Sequence, residues 1–207
     1  AALAQGAPRL HDQPSNVLFD SALDSGDVDE SFASAAVVVE RRFVNPRYSA
    51  APLESRGLVA EPTDDGVRIA SSTQVPHAFA TLAAEILELE PAQVEVVVEH
   101  VGGGFGQKAH VYPEELLTAW LALRYRVRVA WIEDRAENLL AASHARGQQI
   151  DARLAMDGEG RVLAMEADIR CDQGAYGVYP HGHILEALGT RAMIPGPYRV
   201  PAYRART

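Results

Sequence analysis

A single cysteine, Cys171, stands among 207 residues, so no disulfide can close within the chain. That sparing use of thiols fits a reducing cytoplasm. Apolar stretches are short as well. None approaches the roughly 18 residues a membrane-spanning helix needs, which leaves no candidate span. Residues 1–8 carry no basic stretch leading into an apolar one, so no export signal is read there. Basic residues are the minority, 19 Lys and Arg against 28 Asp and Glu, for a net charge of −9. The densest basic run is Arg124, Arg126 and Arg128, which alternates with Tyr125 and Val127 as in a chain entering a strand with one solvated face. Nucleic-acid recognition asks for a basic stripe or patch, so nucleic acid is excluded as a partner.

What remains is the composition of a folded globular chain, 47% apolar and 23% charged. At this length folding removes roughly 70% of the unfolded chain's surface, enough for an ordinary core without staples. Residues 1–25, with Pro8, Pro14, Asn16, Ser21 and Ser25 and no sustained period, read as an extended lead-in or linker. The expected domain runs over 26–207. A short helix opens at Gly26–Glu30 with acids in its first turn, and the β-branched Ala36–Glu40 reads as a strand running towards Phe43.

Strands and helices then alternate. Val67–Ala70 is a strand after the Asp64-Asp65-Gly66 turn. Pro76–Glu90 reads as a helix with Phe79, Leu82, Ala83, Ile86 and Leu89 on one face. Val94–Val98 is a strand, Pro113–Tyr125 a helix with Leu116, Leu117, Trp120, Leu121 and Leu123 inward. Val127–Ile132 is a strand and Glu133–Ala142 a short helix. Gln148–Ala155 and Arg161–Cys171 form a hairpin through Met156–Gly160. The mixture predicts an α+β (mixed α/β) fold, mixed sheets with packed helices. Tyr179–Thr207 carries four prolines and no closing signal, so the domain is expected to be incomplete at its C-terminus.

The most informative segment is Val101-Gly102-Gly103-Gly104-Phe105-Gly106-Gln107-Lys108. Four glycines in five positions remove the Cβ atoms that block close backbone approach, and permit positive φ. Bare N–H groups then form a concavity suited to a phosphate or another cofactor oxygen, with Lys108 available as a charge at the rim. A tight turn packed on its own sheet is the competing reading. The spacing fits neither Gly-x-Gly-x-x-Gly nor a Walker loop.

Other candidates are weaker. In Ser72-Thr73-Gln74-Val75-Pro76-His77, Thr73 is placed to cap the following helix. Gln74 carries both donors and an acceptor, enough to hold an oxo or carbonyl oxygen. Taken alone, capping is the favoured reading of this stretch. His181 and His183 alternate like metal ligands but lack enough partners for a closed site. Cys171 reads as a small hydrophobe. Glu133–Glu137 reads as a helix start with local ion pairs.

The glycine segment resembles the Gly-Gly-Gly-Phe-Gly-x-Lys loop of the molybdopterin-dependent hydroxylases, the large subunits of the carbon monoxide dehydrogenase, aldehyde oxidase and xanthine dehydrogenase family. Ser71–Pro76 resembles the family's upstream segment ending in Gln-x-Pro. Ala51–Glu54 resembles its Pro-Met/Leu-Glu element, and Trp131–Glu137 its Trp-x-Glu-Asp/Asn-Arg-x-Glu stretch. Asp157-Gly158 and Asp172–Tyr176 fit in order, so the resemblance runs from about residue 10 to Thr207.

The resemblance implies a molybdopterin with molybdenum, with or without a cytidine nucleotide, contacted by Gly103, Gly104, Phe105 and Gly106, with Gln74 bonded to an oxo ligand of the metal. It implies hydroxylation of a C–H, or oxidation of CO, with water as oxygen source. Iron–sulfur clusters and FAD on other domains or subunits would take the electrons, and the rest of the large subunit would complete the site for a small-molecule substrate. The family's catalytic glutamate and its Ala-Tyr-Arg-Gly/Cys loop have no match here. No catalytic residue or metal ligand is therefore assigned, and the chain resembles the first half of the molybdenum-binding region, expected to be inactive alone. Purine-oxidising members carry a Glu directly after the loop lysine; Ala109 stands here, which implies an aldehyde, CO or another non-purine substrate. A non-catalytic cofactor-binding module and a truncated remnant are the rival expectations.

Overall fold

Two parallel strands joined by one helix decide where the motifs meet. In a computed structural model describing residues 2–4, 6–9, 11–182 and 184–207, β4 (Val67–Ser71), α2 (Pro76–Ile86) and β5 (Val94–Val97) form that crossover. β3 (Gly57–Pro62) and β6 (Val129–Ile132) complete a four-stranded sheet in the order β5-β4-β3-β6, both of their pairings antiparallel. α3 (Pro113–Tyr125) leads into β6, and α4 (Arg135–Ala141) follows it. These elements belong to one compact unit, residues 48–145 and 178–181.

Direction does the sorting. Segments 72–75 and 98–110 leave the carboxyl ends of two adjacent parallel strands, where open α/β sheets place their ligand crevices. β3 runs antiparallel to β4, so residues 52–56 enter at that same end. β6 runs antiparallel to β3 and delivers Glu133 there too, with Gly57 opposite Ile132. Four segments far apart in sequence therefore converge at one end of the sheet.

Leu58, Ala60, Val67, Ile69, Phe79, Ala83, Ala84, Val94, Ala119 and Ala122 form the core beneath the helices. The expected inward face of α3 holds for Leu116 and Leu123, which pack against this core, and is corrected at two positions. Leu117 and Trp120 are exposed, and Glu115, Thr118, Ala119 and Ala122 face in. Small side chains let the helix sit close on the sheet, which leaves no room inward for Leu117 and Trp120. α2 likewise buries Ala84 and leaves Ile86 exposed. It stops at Ile86 rather than Glu90 because Glu88 takes a left-handed φ of 56° before the 3-10 turn at Pro91–Gln93. The arginine run is also corrected: Arg124 lies in the last turn of α3, Arg126 is its left-handed cap at φ 54°, and Arg128 pairs with Glu61 at 3.0 Å.

The second unit comprises the described residues of 1–47, 146–177 and 182–207. Its five-stranded sheet has the order β1-β9-β8-β7-β2. β7 (Gln148–Met156) and β8 (Val162–Cys171) are the expected hairpin, held at its turn by Asp157, whose Oδ1 accepts from Glu159 and Arg161 N–H at 2.9 Å. β2 (Val37–Asn45) pairs with β7, and β9 (Ala202–Arg206) runs parallel to β8. Residues 22–25, read above as the end of the lead-in, form β1 (Ala22–Ser25), an edge strand on β9.

α1 (Val28–Ala33), capped by Asp27, covers Ala155, Ala164 and Ala202 with Val28 and Phe32. The rest of that face is an ion-pair ladder built on Asp151, Arg153, Glu166 and Arg204. Ile150, Ala167, Ile169, Tyr203 and Ala205 form a separate cluster with Ile194, just after α5 (Leu185–Met193). Cys171 packs half-buried against it, its thiol pushed up by burial. The α+β class holds, since parallel and antiparallel pairings coexist in both sheets.

Candidate functional site

Gly102 to Lys108 forms an irregular turn, and each end of it is tied down by the same carboxylate. Glu54 Oε2 accepts from the backbone N–H of Gly102 at 2.7 Å and from the Lys108 ammonium. That ammonium holds the Glu54 carboxyl below its usual range, against the effect of burial. Lys108 is therefore not a charge at the rim. Its side chain is buried and turned back beneath the loop, because a nearby carboxylate compensates an ammonium out of water far better than an open concavity does.

Within the loop, Gly103 and Gly106 take φ of 95° and 89°, and Phe105 takes 51°. A large L-residue in that left-handed region costs on the order of 1–2 kcal/mol. Phe105 is nonetheless 77% exposed. The loop holds an aromatic ring out in solvent at a backbone cost.

Gln74 lies directly against this turn. Its backbone N–H donates to Lys108 O at 2.9 Å, and its Oε1 accepts from Gly106 N–H at 3.2 Å. A Cβ on Gly104 would stand 2.3 Å from that oxygen, so the third glycine is required for the glutamine to lie flat on the loop. With Oε1 engaged, the amide Nε2 is the group left to donate outward, and it has no acceptor among the described residues. The N–H groups of Gly103, Gly104 and Phe105 also lack one there, although Gly104 is buried. Buried N–H groups are nearly always paired, so this set is shaped for acceptor oxygens supplied from outside.

Thr73 acts differently from expected. Its hydroxyl accepts from Val75 N–H at 3.1 Å and donates to Lys108 O at 3.3 Å. The N-cap of α2 is Val75 with Pro76 following, and no side chain caps it. Thr73 thus fastens segment 72–75 to the loop rather than capping the helix.

Behind the loop lies a buried polar cluster that local sequence reading missed. Glu133 accepts from Arg56 Nε at 3.0 Å, from Arg56 Nη2, and from Arg56 backbone N–H at 3.1 Å. Asn138 Nδ2 donates to Glu133 Oε2 at 2.7 Å and to Gln107 Oε1 at 3.0 Å. Burial pushes the Glu133 carboxyl up, but the bonds from Arg56 and Asn138 bring it below its ordinary value. The expectation of purely local ion pairs over Glu133–Glu137 is corrected to this extent. Asp134 and Glu137 do form a reciprocal cap on α4, while Glu133 pairs across 77 residues. Nothing local to Arg56 or Asn138 could have shown their roles; only the Trp131–Glu137 motif pointed to this region.

Among the described residues no group of three or more His, Cys, Asp or Glu could hold a metal ion. His183 lies outside the described residues. His181 stands edge-on to His110 at 5.7 Å, and burial with that neighbour pushes the His110 imidazole down to about 4, so it is neutral near pH 7.

These features define a class: a glycine-rich backbone cradle with an adjacent glutamine amide, its donors without acceptors among the described residues. The chain belongs to the molybdopterin cofactor-binding domain family, whose model matches residues 10–207. It is 39% identical over 202 residues to the large subunit of nicotine 6-hydroxylase from Paenarthrobacter nicotinovorans, covering 96% of this chain and 25% of that protein. A putative xanthine dehydrogenase molybdenum-binding subunit from Escherichia coli is 30% identical over 210 residues, covering 100% and 27%. Among solved structures, quinoline 2-oxidoreductase from Pseudomonas putida superimposes with a TM-score of 0.90 at 39% identity, covering 99% of this chain and 26% of that one. The chain thus spans about a quarter of the length of these relatives. No helix among the described residues is long and apolar enough to cross a membrane.

Proposed function

We propose that this chain is the part of a molybdenum hydroxylase large subunit that grips the pterin side of the molybdenum cofactor, and that the whole enzyme oxidises a non-purine substrate with water as the oxygen source. The observation that carries this reading is the unpaired donor set, the Gln74 amide and the N–H groups of Gly103, Gly104 and Phe105, gathered on one open turn. The residues fit the group: a molybdopterin presents oxo and phosphate oxygens that accept, and the loop presents donors without competing acceptors. When bound, the cofactor supplies two-electron oxidation and oxygen transfer.

The chain's own residues bind and orient. Gln74 would donate through its amide to an oxo oxygen of the group, the backbone of Gly103, Gly104 and Gly106 would allow its close approach, and the exposed Phe105 ring would be available to cover it. No proton-transfer residue is assigned to this chain; that role falls to the remainder of the large subunit, and this chain alone is inactive. Iron–sulfur and FAD domains or subunits accept the electrons, in the cytoplasm.

Ala109 supports the non-purine assignment. Its methyl side chain offers no hydrogen bond, and its backbone N–H is already given to Gly106 O at 3.2 Å, so a purine's polar edge would lose a partner there, at about 1–3 kcal/mol. An aldehyde, CO or a nitrogen heteroaromatic is indifferent to that loss, and the 39% relatives named for nicotine and quinoline favour the heteroaromatic class. The test is kcat/KM for the cofactor-loaded enzyme on quinoline, nicotine, benzaldehyde, CO and xanthine. Xanthine should be slower than the best of the others by ten- to hundredfold; a higher value for xanthine refutes the substrate class. Gln74→Ala should lower turnover on the order of 10²-fold, more than it lowers molybdenum content. Full turnover at full loading would refute the residue's role.

A further inference from the structure

The buried cluster behind the loop is closed on itself. Gln107 Oε1 accepts from Asn138, Asn138 donates to Glu133, Glu133 binds Arg56, and the Arg56 guanidinium lies 3.6 Å over the Tyr112 ring. The Tyr112 hydroxyl then donates back to the Gln107 backbone carbonyl at 2.7 Å. We propose that this ring of five side chains is a positioning device. It would hold the glycine loop in the one conformation that presents its free donors to the cofactor, without any member other than the loop itself touching the cofactor. The proposal rests on the reading of the loop as a cofactor contact and deepens it.

Three observations separate this from ordinary core stabilisation. First, both arms of the ring end on Gln107, one on its side chain and one on its carbonyl, and Gln107 is the residue after the strained Phe105–Gly106 pair. Its other groups are engaged as well, with N–H on Gly104 O at 2.9 Å and Nε2 on Ser49 Oγ at 3.2 Å. A residue held on four sides cannot let the preceding turn relax.

Second, the Gln107 side chain is buried, so it points away from the exposed edge of the loop where Phe105 and Gly106 lie. It acts as a handle rather than a contact. Third, the ring buries an Arg–Glu pair that well-packed apolar residues could replace with little loss of stability. What apolar side chains could not supply is the directed grip on both Gln107 oxygens. Left-handed φ at Phe105 needs such an external constraint to persist.

The experiment compares amide hydrogen exchange of segment 101–108 in cofactor-free and cofactor-loaded protein, alongside molybdenum content by elemental analysis. Loading should protect the segment in the parent protein. Asn138→Ala, which opens the ring, should speed its exchange at least tenfold in the cofactor-free form, leave α2 and β4 within about twofold, and lower retained molybdenum at least threefold. Gln107→Met, which keeps volume but removes the handle, should do the same, and decides the matter if Asn138→Ala does not fold.

If loading protects the segment but both variants exchange and load like the parent, the ring has no positioning role and the cofactor reading stands. Faster exchange spread evenly over every segment would also overturn it, since that is the signature of lost global stability. If loading leaves the parent segment unprotected, the cofactor reading fails and the ring's role fails with it.

Discussion

Glu133→Ala leaves the Arg56 guanidinium out of water with its main partner gone. Both side chains are essentially inaccessible, at 1% and 0% exposure, so solvent cannot take over the lost bonds. The next carboxylate, Glu114, lies 3.7 Å from Arg56 Nη1, too far to make a hydrogen bond, and that nitrogen is already unsatisfied. The Arg56 backbone N–H loses its acceptor as well. Breaking a buried pair in this way costs about 3–5 kcal/mol, mostly as the penalty of an uncompensated charge rather than the worth of the pair. The decisive comparison is the double variant Arg56→Met/Glu133→Leu, which removes both charges and fills the space. It should be more stable than Glu133→Ala by about 1–4 kcal/mol. Urea unfolding followed by tryptophan fluorescence suits the measurement, because Trp131 sits in the same unit with Arg56 5.4 Å from its ring. A Glu133→Ala variant within about 1 kcal/mol of the parent, or a double variant less stable than the single, would refute the reasoning.

Burial pushes the Glu115 carboxyl up to about 7. Its folded value lies above the unfolded one, so its contribution is fully present below about 4.5 and lost as pH rises to about 7, on the order of 3 kcal/mol at most. Glu115→Gln keeps the acceptor for Tyr112 N–H and should flatten that part of the pH–stability curve; an unchanged slope counts against the assignment. Gly104→Ala places a methyl 2.3 Å from Gln74 Oε1 and should lower molybdenum content severalfold, whereas Gly158→Ala, with nothing within 4 Å, should load normally. Equal loading of the two would show that Gln74 need not lie against the loop. Thr73→Val removes the hydroxyl that joins Val75 N–H to Lys108 O and should destabilise by about 1 kcal/mol in urea unfolding, more than a neutral surface change would.

Much of the fold was legible where signals are local. Pro113 at the start of α3, the Asp157–Arg161 turn between β7 and β8, and the β-branched runs of β4 and β5 each carry their own periodicity or punctuation. β3, α5 and the pairing of β1 with β9 were not read, since short strands at 57–62 and 22–25 acquire their identity only from partners elsewhere in the chain. The side-chain facing of α3 failed at two positions for a similar reason. Leu116 and Leu123 pack against the core as expected, but where helix and sheet approach closely there is room for Thr118, Ala119 and Ala122 and not for Leu117 or Trp120.

The candidate site divides along the same line. By itself the sequence determined the glycine loop, its lack of Cβ atoms and its place after a strand, because those properties belong to consecutive residues. Resemblance added Gln74. Tertiary structure alone decided that Lys108 turns inward to Glu54, that Thr73 binds the loop instead of capping α2, and that Arg56, Glu133 and Asn138 meet behind Gln107. Each of those depends on where a buried charge or amide finds its compensating partner, and the parallel β4–β5 pair flanked by antiparallel β3 and β6 brings those partners to one end of the sheet from segments tens of residues apart.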